Sequence, residues 1–133
     1  MNLLSQRILI TGITGFVGSH LADLILEKDV TLFGLKRWNL SRMRNVRHFI
    51  DKINWIDCDI TDSVSVKKAI EKSKPDKIFH LAAESFVSPS WDHPSHYMDV
   101  NYKGTVNILE AIKELQINPK ILIPGSGEEY GDI

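Results

Sequence analysis

One segment limits the possible folds of this chain more than any other: Thr11-Gly12-Ile13-Thr14-Gly15-Phe16-Val17-Gly18. It follows a short β-rich run, Arg7–Thr11, and opens a pattern of helical spacing, Phe16–Lys28, with Val17, Leu21, Leu24, Ile25 and Lys28 on one side. A strand that turns at once into a helix needs glycine for physical reasons. Gly12 permits the tight turn, Gly15 lets the backbone approach a pyrophosphate without an intervening Cβ, and Gly18 lets helix and strand pack closely. The unpaired N–H groups and positive dipole end of a helix starting near Phe16 can then receive phosphates. Gly12, Thr14, Gly15, Phe16, Val17 and Gly18 are therefore the candidate phosphate-binding turn of a dinucleotide site, with the spacing GxxGxxG rather than GxGxxG.

The rest of the chain repeats the same alternation. β-rich runs recur at Val30–Leu35, Ile53–Asp57, Lys77–Ala82 and Lys120–Ile123, largely apolar without strict alternation, as for strands covered on both faces. Between them lie helical patterns at Asp62–Lys74, with Thr61 or Asp62 as N-cap, and Pro94–Gln116, a long helix with Gly104 in its middle. At that position glycine costs up to about 1 kcal/mol against alanine, which implies close packing there. Lys36–Asn45 reads as a loop plus a short helix. Strand, helix, strand, repeated, predicts a doubly wound parallel α/β sheet in one domain over residues 1–133.

Composition narrows the function. Sixteen basic and seventeen acidic residues leave a formal charge of −1, which argues against a broad surface for nucleic acid or anionic lipid. No apolar run approaches the roughly 20 residues of a membrane span. Cys58 is the single cysteine, so neither an internal disulfide nor a multi-cysteine zinc site can form; the five histidines show no HExxH spacing, and no metal is expected. Residues 1–7 lack the pattern of a secretory leader, and together these features lead us to expect a cytoplasmic protein.

Where an acid usually binds the ribose 2′-hydroxyl, at the end of the second strand, this chain has Leu35-Lys36-Arg37, with Arg42 and Arg44 following. A cationic pair would hold a 2′-phosphate, which favours NADP over NAD. Asp59 reads either as a carboxylate near the adenine amino group or as a turn residue before Thr61, and Leu81-Ala82-Ala83 as a narrow wall at the carboxyl end of the fourth strand. His80 reads as a satisfied core histidine.

Taken together, ILITGITGFVGSHLADLIL, CDITD, IFHLAAESFVSPSW, NYKGTVNILEAI and GSGEEYG resemble the extended short-chain dehydrogenase/reductase family. They are most similar to its nucleotide-sugar enzymes of the GDP-mannose 4,6-dehydratase and GDP-4-keto-6-deoxymannose reductase type. The resemblance implies a Rossmann domain, an NADP cofactor, a GDP-sugar substrate and a homo-oligomer paired through long helices. Carried over residue by residue, Lys36 and Arg37 would grip the 2′-phosphate, Asp59 and Ile60 would contact adenine, and Leu81, Ala82 and Ala83 would flank the nicotinamide ribose. Ser85 would face the sugar, Ser126 would hydrogen-bond the reacting oxygen, and Glu128 would remove the C5 proton, a task suited to a carboxylate whose pKa burial has raised.

The implied dehydratase cycle takes hydride from C4, loses water across C5 and C6, and returns hydride to C6. A reductase or an epimerase is the alternative within the family; a non-catalytic dinucleotide-binding module is the alternative of another class. The family's general acid/base, a tyrosine followed four residues later by lysine, has no counterpart. Asn101 and Val106 stand four places beyond Tyr97 and Tyr102, and Tyr130 belongs to the preceding motif. We therefore expect a sheet truncated after about the fifth strand, with the tyrosine–lysine pair and the substrate-binding domain following residue 133, and an isolated chain without activity.

Overall fold

The computed structural model describes residues 5–131, so the reading of residues 1–7 falls partly outside it. Five strands form one sheet: β1 (Gln6–Thr11), β2 (Val30–Lys36), β3 (Asn54–Asp57), β4 (Lys77–His80) and β5 (Lys120–Leu122). Their order is β3-β2-β1-β4-β5 and every pairing is parallel. The chain therefore moves outward in one direction from β1, then returns past it to add β4 and β5. This reversal opens a crevice at the carboxyl ends of β1 and β4, the place where doubly wound sheets bind ligands.

The period-2 geometry of β1 explains why both faces carry a core. Leu9 points to one side, packed with Val66, Ala69 and Ile70 of α2 (Ser63–Ser73) and a second helix described below. Ile8 and Ile10 point to the other, against Ala22 and Ile25 of α1 (Phe16–Leu26) and Val46 and Phe49 of a 3₁₀ segment, Arg44–Lys52. Full burial of side chains such as Leu9 and Ile10 contributes about 1.5–3 kcal/mol each.

Of the two possible N-caps for α2, Asp62 serves: its Oδ1 accepts from the Ser65 N–H at 2.9 Å. Lys74 ends that helix in the left-handed conformation, φ 42°, just before Pro75.

The long helix expected over Pro94–Gln116 is composite. A short helix α3 (Val87–Asp92), not foreseen from spacing, precedes α4 (Pro94–Tyr97), which continues through a π-helical turn, Met98–Lys103, into α5 (Gly104–Glu114). The extra residue in the turn shifts the helical register. Gly104 then faces Ile60 so closely that a Cβ would lie 2.8 Å from Cδ1, as the expected close packing requires. Ile108 and Ala111 of α5 complete the core on the α2 side. Strand β4 stops at His80, two residues short of its expected end, which leaves Leu81 to Ala83 beyond the sheet.

Candidate functional site

A cavity of about 330 Å³ opens at the carboxyl ends of β1 and β4. Gly12, Thr14 and Gly15 form one side of it; Leu81, Ala82, Ala83 and Glu84 form another; Leu35, Arg37, Ser41, Arg42, Asp59 and Ile60 complete it. Gly12 has φ +69°, and a Cβ there would lie 2.7 Å from both the Leu81 carbonyl carbon and the Ala82 nitrogen. Only glycine fits, because the turn touches the chain beyond β4 backbone to backbone.

Gly18 is equally closed. A Cβ would collide with the Gly12 carbonyl oxygen and lie 2.7 Å from the Ile13 Cα, so the close approach is of helix to turn rather than helix to strand. Gly15 differs: its amide donates to Gly12 O at 3.0 Å, and a Cβ would meet only that oxygen, at 3.2 Å. It borders the cavity and caps α1 without any side-chain hydrogen bond or first-turn acid, leaving the helix's amino end open to an anion. The residues present thus fit a dinucleotide pyrophosphate.

The two cations expected at the end of β2 part company. Lys36 is in register with Asp57 on the neighbouring strand, and its Nζ lies 2.8 Å from Asp57 Oδ1. It does not line the cavity. Arg37 does, together with Arg42, which the sequence reading noted without assigning a role. The turn that presents them is held by Arg37 N–H donating to Ser41 Oγ at 2.8 Å. Asp59 lines the cavity and also serves as the turn residue, its Oδ1 accepting from both the backbone N–H and the hydroxyl of Thr61 at 2.9 and 2.8 Å. Phe16 and Val17 are exposed at the start of α1, outside the cavity lining. Cys58 is buried in the wall, and burial pushes its thiol up, so it stays protonated.

A second cavity, about 470 Å³, adjoins the first and shares Ala82, Ala83 and Glu84 with it. It collects the remaining predicted residues, Ser85, Ser126 and Glu128, with Tyr97, Asn101 and Gly125. Ser126 caps a 3₁₀ turn, Gly127–Tyr130, its Oγ accepting from Glu128 N–H at 3.2 Å. Glu128 is exposed, so its carboxylate is not enclosed by residues 5–131.

Asn101 was missed by sequence reasoning. Its side chain grips both backbone groups of Glu84, accepting from N–H at 2.8 Å and donating to C=O at 2.9 Å. Helical spacing gave no signal for it, because the π-helical turn that aims it is a tertiary feature.

A family model described as GDP-mannose 4,6 dehydratase matches residues 9–133. The chain belongs to that family. It is 33% identical to the GDP-mannose 4,6-dehydratase of Vibrio cholerae, over 96% of this chain and 37% of that protein. It is also 32% identical to the CDP-paratose 2-epimerase of Salmonella typhi, over 96% of this chain and 39% of that protein. Among solved structures, the UDP-Glc/GlcNAc 4-epimerase of Campylobacter jejuni superimposes with TM-score 0.86 at 26% identity, covering 96% of this chain and 39% of that one. The UDP-glucose 4-epimerase of Thermus thermophilus, solved with NAD, gives 0.75 at 27% identity, covering 85% and 35%. This member of the GDP-mannose 4,6-dehydratase family thus has a Rossmann-type sheet and spans little more than a third of the length of the relatives it matches. Among the described residues, no helix is long and apolar enough to cross a membrane.

Proposed function

We propose that this domain is the dinucleotide-binding part of an NADP-dependent enzyme that dehydrates a GDP-sugar. The observation that carries the reading is the pair of adjoining cavities with one shared wall. One has a glycine turn, an open helix end and two arginines; the other has a hydroxyl and a carboxylate two residues apart, on Ser126 and Glu128.

When bound, the dinucleotide supplies the reversible hydride acceptor. Gly12, Gly15 and the amino end of α1 would hold its pyrophosphate, and Arg37 with Arg42 a 2′-phosphate. The chain's own groups then divide the remaining work. Ser126 donates a hydrogen bond to the sugar oxygen that gains negative charge, while its Oγ keeps the Glu128 amide. Glu128 takes the C5 proton and passes it to the C6 hydroxyl, which departs as water while the C5–C6 double bond forms. The exposure of Glu128 fits a site that a further part of the polypeptide covers. Pairing of two copies would use Met98, Tyr102, Val106 and Leu109, which are exposed on the composite helix.

A nucleotide-sugar epimerase is the second reading, favoured by the 4-epimerases among the structural relatives. Incubating the natural polypeptide with GDP-mannose and NADP⁺ separates the two. The 4-keto-6-deoxy sugar, which has lost the elements of water, is the expected product; an isomer of unchanged mass would favour the epimerase. Reversing the charge of Arg37 should weaken NADP⁺ at least tenfold, the loss of one charge-assisted contact, while sparing NAD⁺. Equal weakening of both would remove Arg37 from the 2′-phosphate.

A further inference from the structure

Three residues of the shared wall, Ala82 to Glu84, lie beyond the end of β4 and outside any ladder. Their backbone is held at two points. Ala82 N–H donates to Thr11 Oγ1 at 3.0 Å, and the Asn101 side chain holds both backbone groups of Glu84. His80, buried at the end of β4, stands between these anchors. Its Nδ1 is 2.7 Å from Thr11 Oγ1 and its Nε2 is 3.0 Å from Thr105 Oγ1.

The protons in this string have one consistent arrangement. Thr105 spends its single hydroxyl proton on the Asn101 carbonyl, 2.8 Å away, so its oxygen must accept from His80 Nε2–H. A neutral imidazole then presents a bare Nδ1, to which the Thr11 hydroxyl donates while accepting from Ala82. Burial, which lowers the His80 pKa, keeps the ring in that neutral form. One side chain thereby links the end of β1, the end of β4 and the π-helical turn that carries Asn101.

We propose that His80 is a positioning residue of the dinucleotide site, setting both ends of the Ala82–Glu84 wall through Thr11 and Thr105. This rests on the dinucleotide reading above, yet its test separates the two. Nitrogen NMR of the natural polypeptide, labelled in histidine, should find the His80 proton on Nε2; a proton on Nδ1 would overturn the assignment. Amide exchange then reads the wall directly, without ligand. Replacing His80→Phe removes both links and should speed exchange at Ala82 and Glu84 by about three- to tenfold, with NADP⁺ binding weakened by a similar factor. His80→Asn keeps an acceptor for Thr11 and should restore the Ala82 end alone.

Unchanged exchange in a folded His80→Phe protein, or no difference between the two variants, would defeat the proposal. Should His80→Phe fail to fold, Thr105→Val cuts the string at its less buried end. It should loosen Glu84 while leaving Ala82 protected, and no change at either would be equally fatal. Absence of NADP⁺ and NAD⁺ binding by the wild-type protein would refute the dinucleotide reading, while the exchange data would still decide the role of His80.

Discussion

Gly12 and Gly131 have the same backbone angle, φ +69°, in opposite surroundings. Around Gly12, the space a Cβ would need is filled by the backbone of Leu81 and Ala82; around Gly131 and its neighbour Gly127 there is nothing within 4 Å. The first turn is set by the packing of three elements on one another. The second is set by its own local bonds, Ser126 Oγ to the Glu128 amide and Gly131 N–H to the Glu128 carbonyl. The glycine turn of the first cavity is therefore fixed by its packing against the backbone of Leu81 and Ala82. The residues proposed for chemistry stand on a turn that nothing in residues 5–131 presses into shape. Binding geometry and reactive groups are thus supported to very different degrees.

The sharpest way to break this comparison is to add one methyl group to each glycine. Gly12→Ala combines left-handed strain with overpacking against backbone and should cost about 3 kcal/mol or more. Gly131→Ala meets strain alone and should cost about 1 kcal/mol. Denaturant unfolding of the two variants tests it; equal losses would show that packing does not distinguish the turns.

Acid should sharpen the comparison next. His80 is hydrogen-bonded to Thr11, which lines the first cavity, and burial depresses its folded pKa. The unfolded chain takes up its proton near pH 6.5, whereas the folded chain does so only at lower pH. Stability is therefore full above that value and declines as pH falls towards the folded pKa, with a slope of up to about 1.4 kcal/mol per pH unit. Unfolding free energies between pH 7 and the onset of carboxylate titration should show this decline in the wild-type chain. They should lack it in His80→Asn; the same slope in both would assign the effect elsewhere.

The smallest effect on stability is expected in the second turn. Glu128→Gln should change the unfolding free energy by no more than about 0.5 kcal/mol, since its side chain is exposed and its amide keeps Ser126. Turnover of the natural polypeptide should fall by about 10²–10⁴ if Glu128 is the base. Wild-type turnover in that variant would leave the second cavity without its assigned base.

The five strands, the glycine turn and the α2 cap were legible in the sequence because each rests on local chemistry. Apolar runs, glycine, and an acid three residues before the amide it caps are short-range signals. Three features were not legible. Lys36 and Arg37 are neighbours in the chain, and only the parallel register of β2 and β3 gives Lys36 to Asp57 and leaves Arg37 at the cavity. Helical spacing ran without interruption from Pro94 to Gln116, and the π-helical turn that aims Asn101 at Glu84 appears only where Gly104 settles on Ile60. His80 was read as a satisfied core residue, and it is one; its partners, Thr11 and Thr105, are 69 and 25 residues away. The sequence alone determined the five strands, the helices α1 and α2, and the glycine turn that joins β1 to α1. The tertiary structure decided which charges are spent on each other and which polar groups hold the wall, because those outcomes depend on contacts between residues distant in the chain.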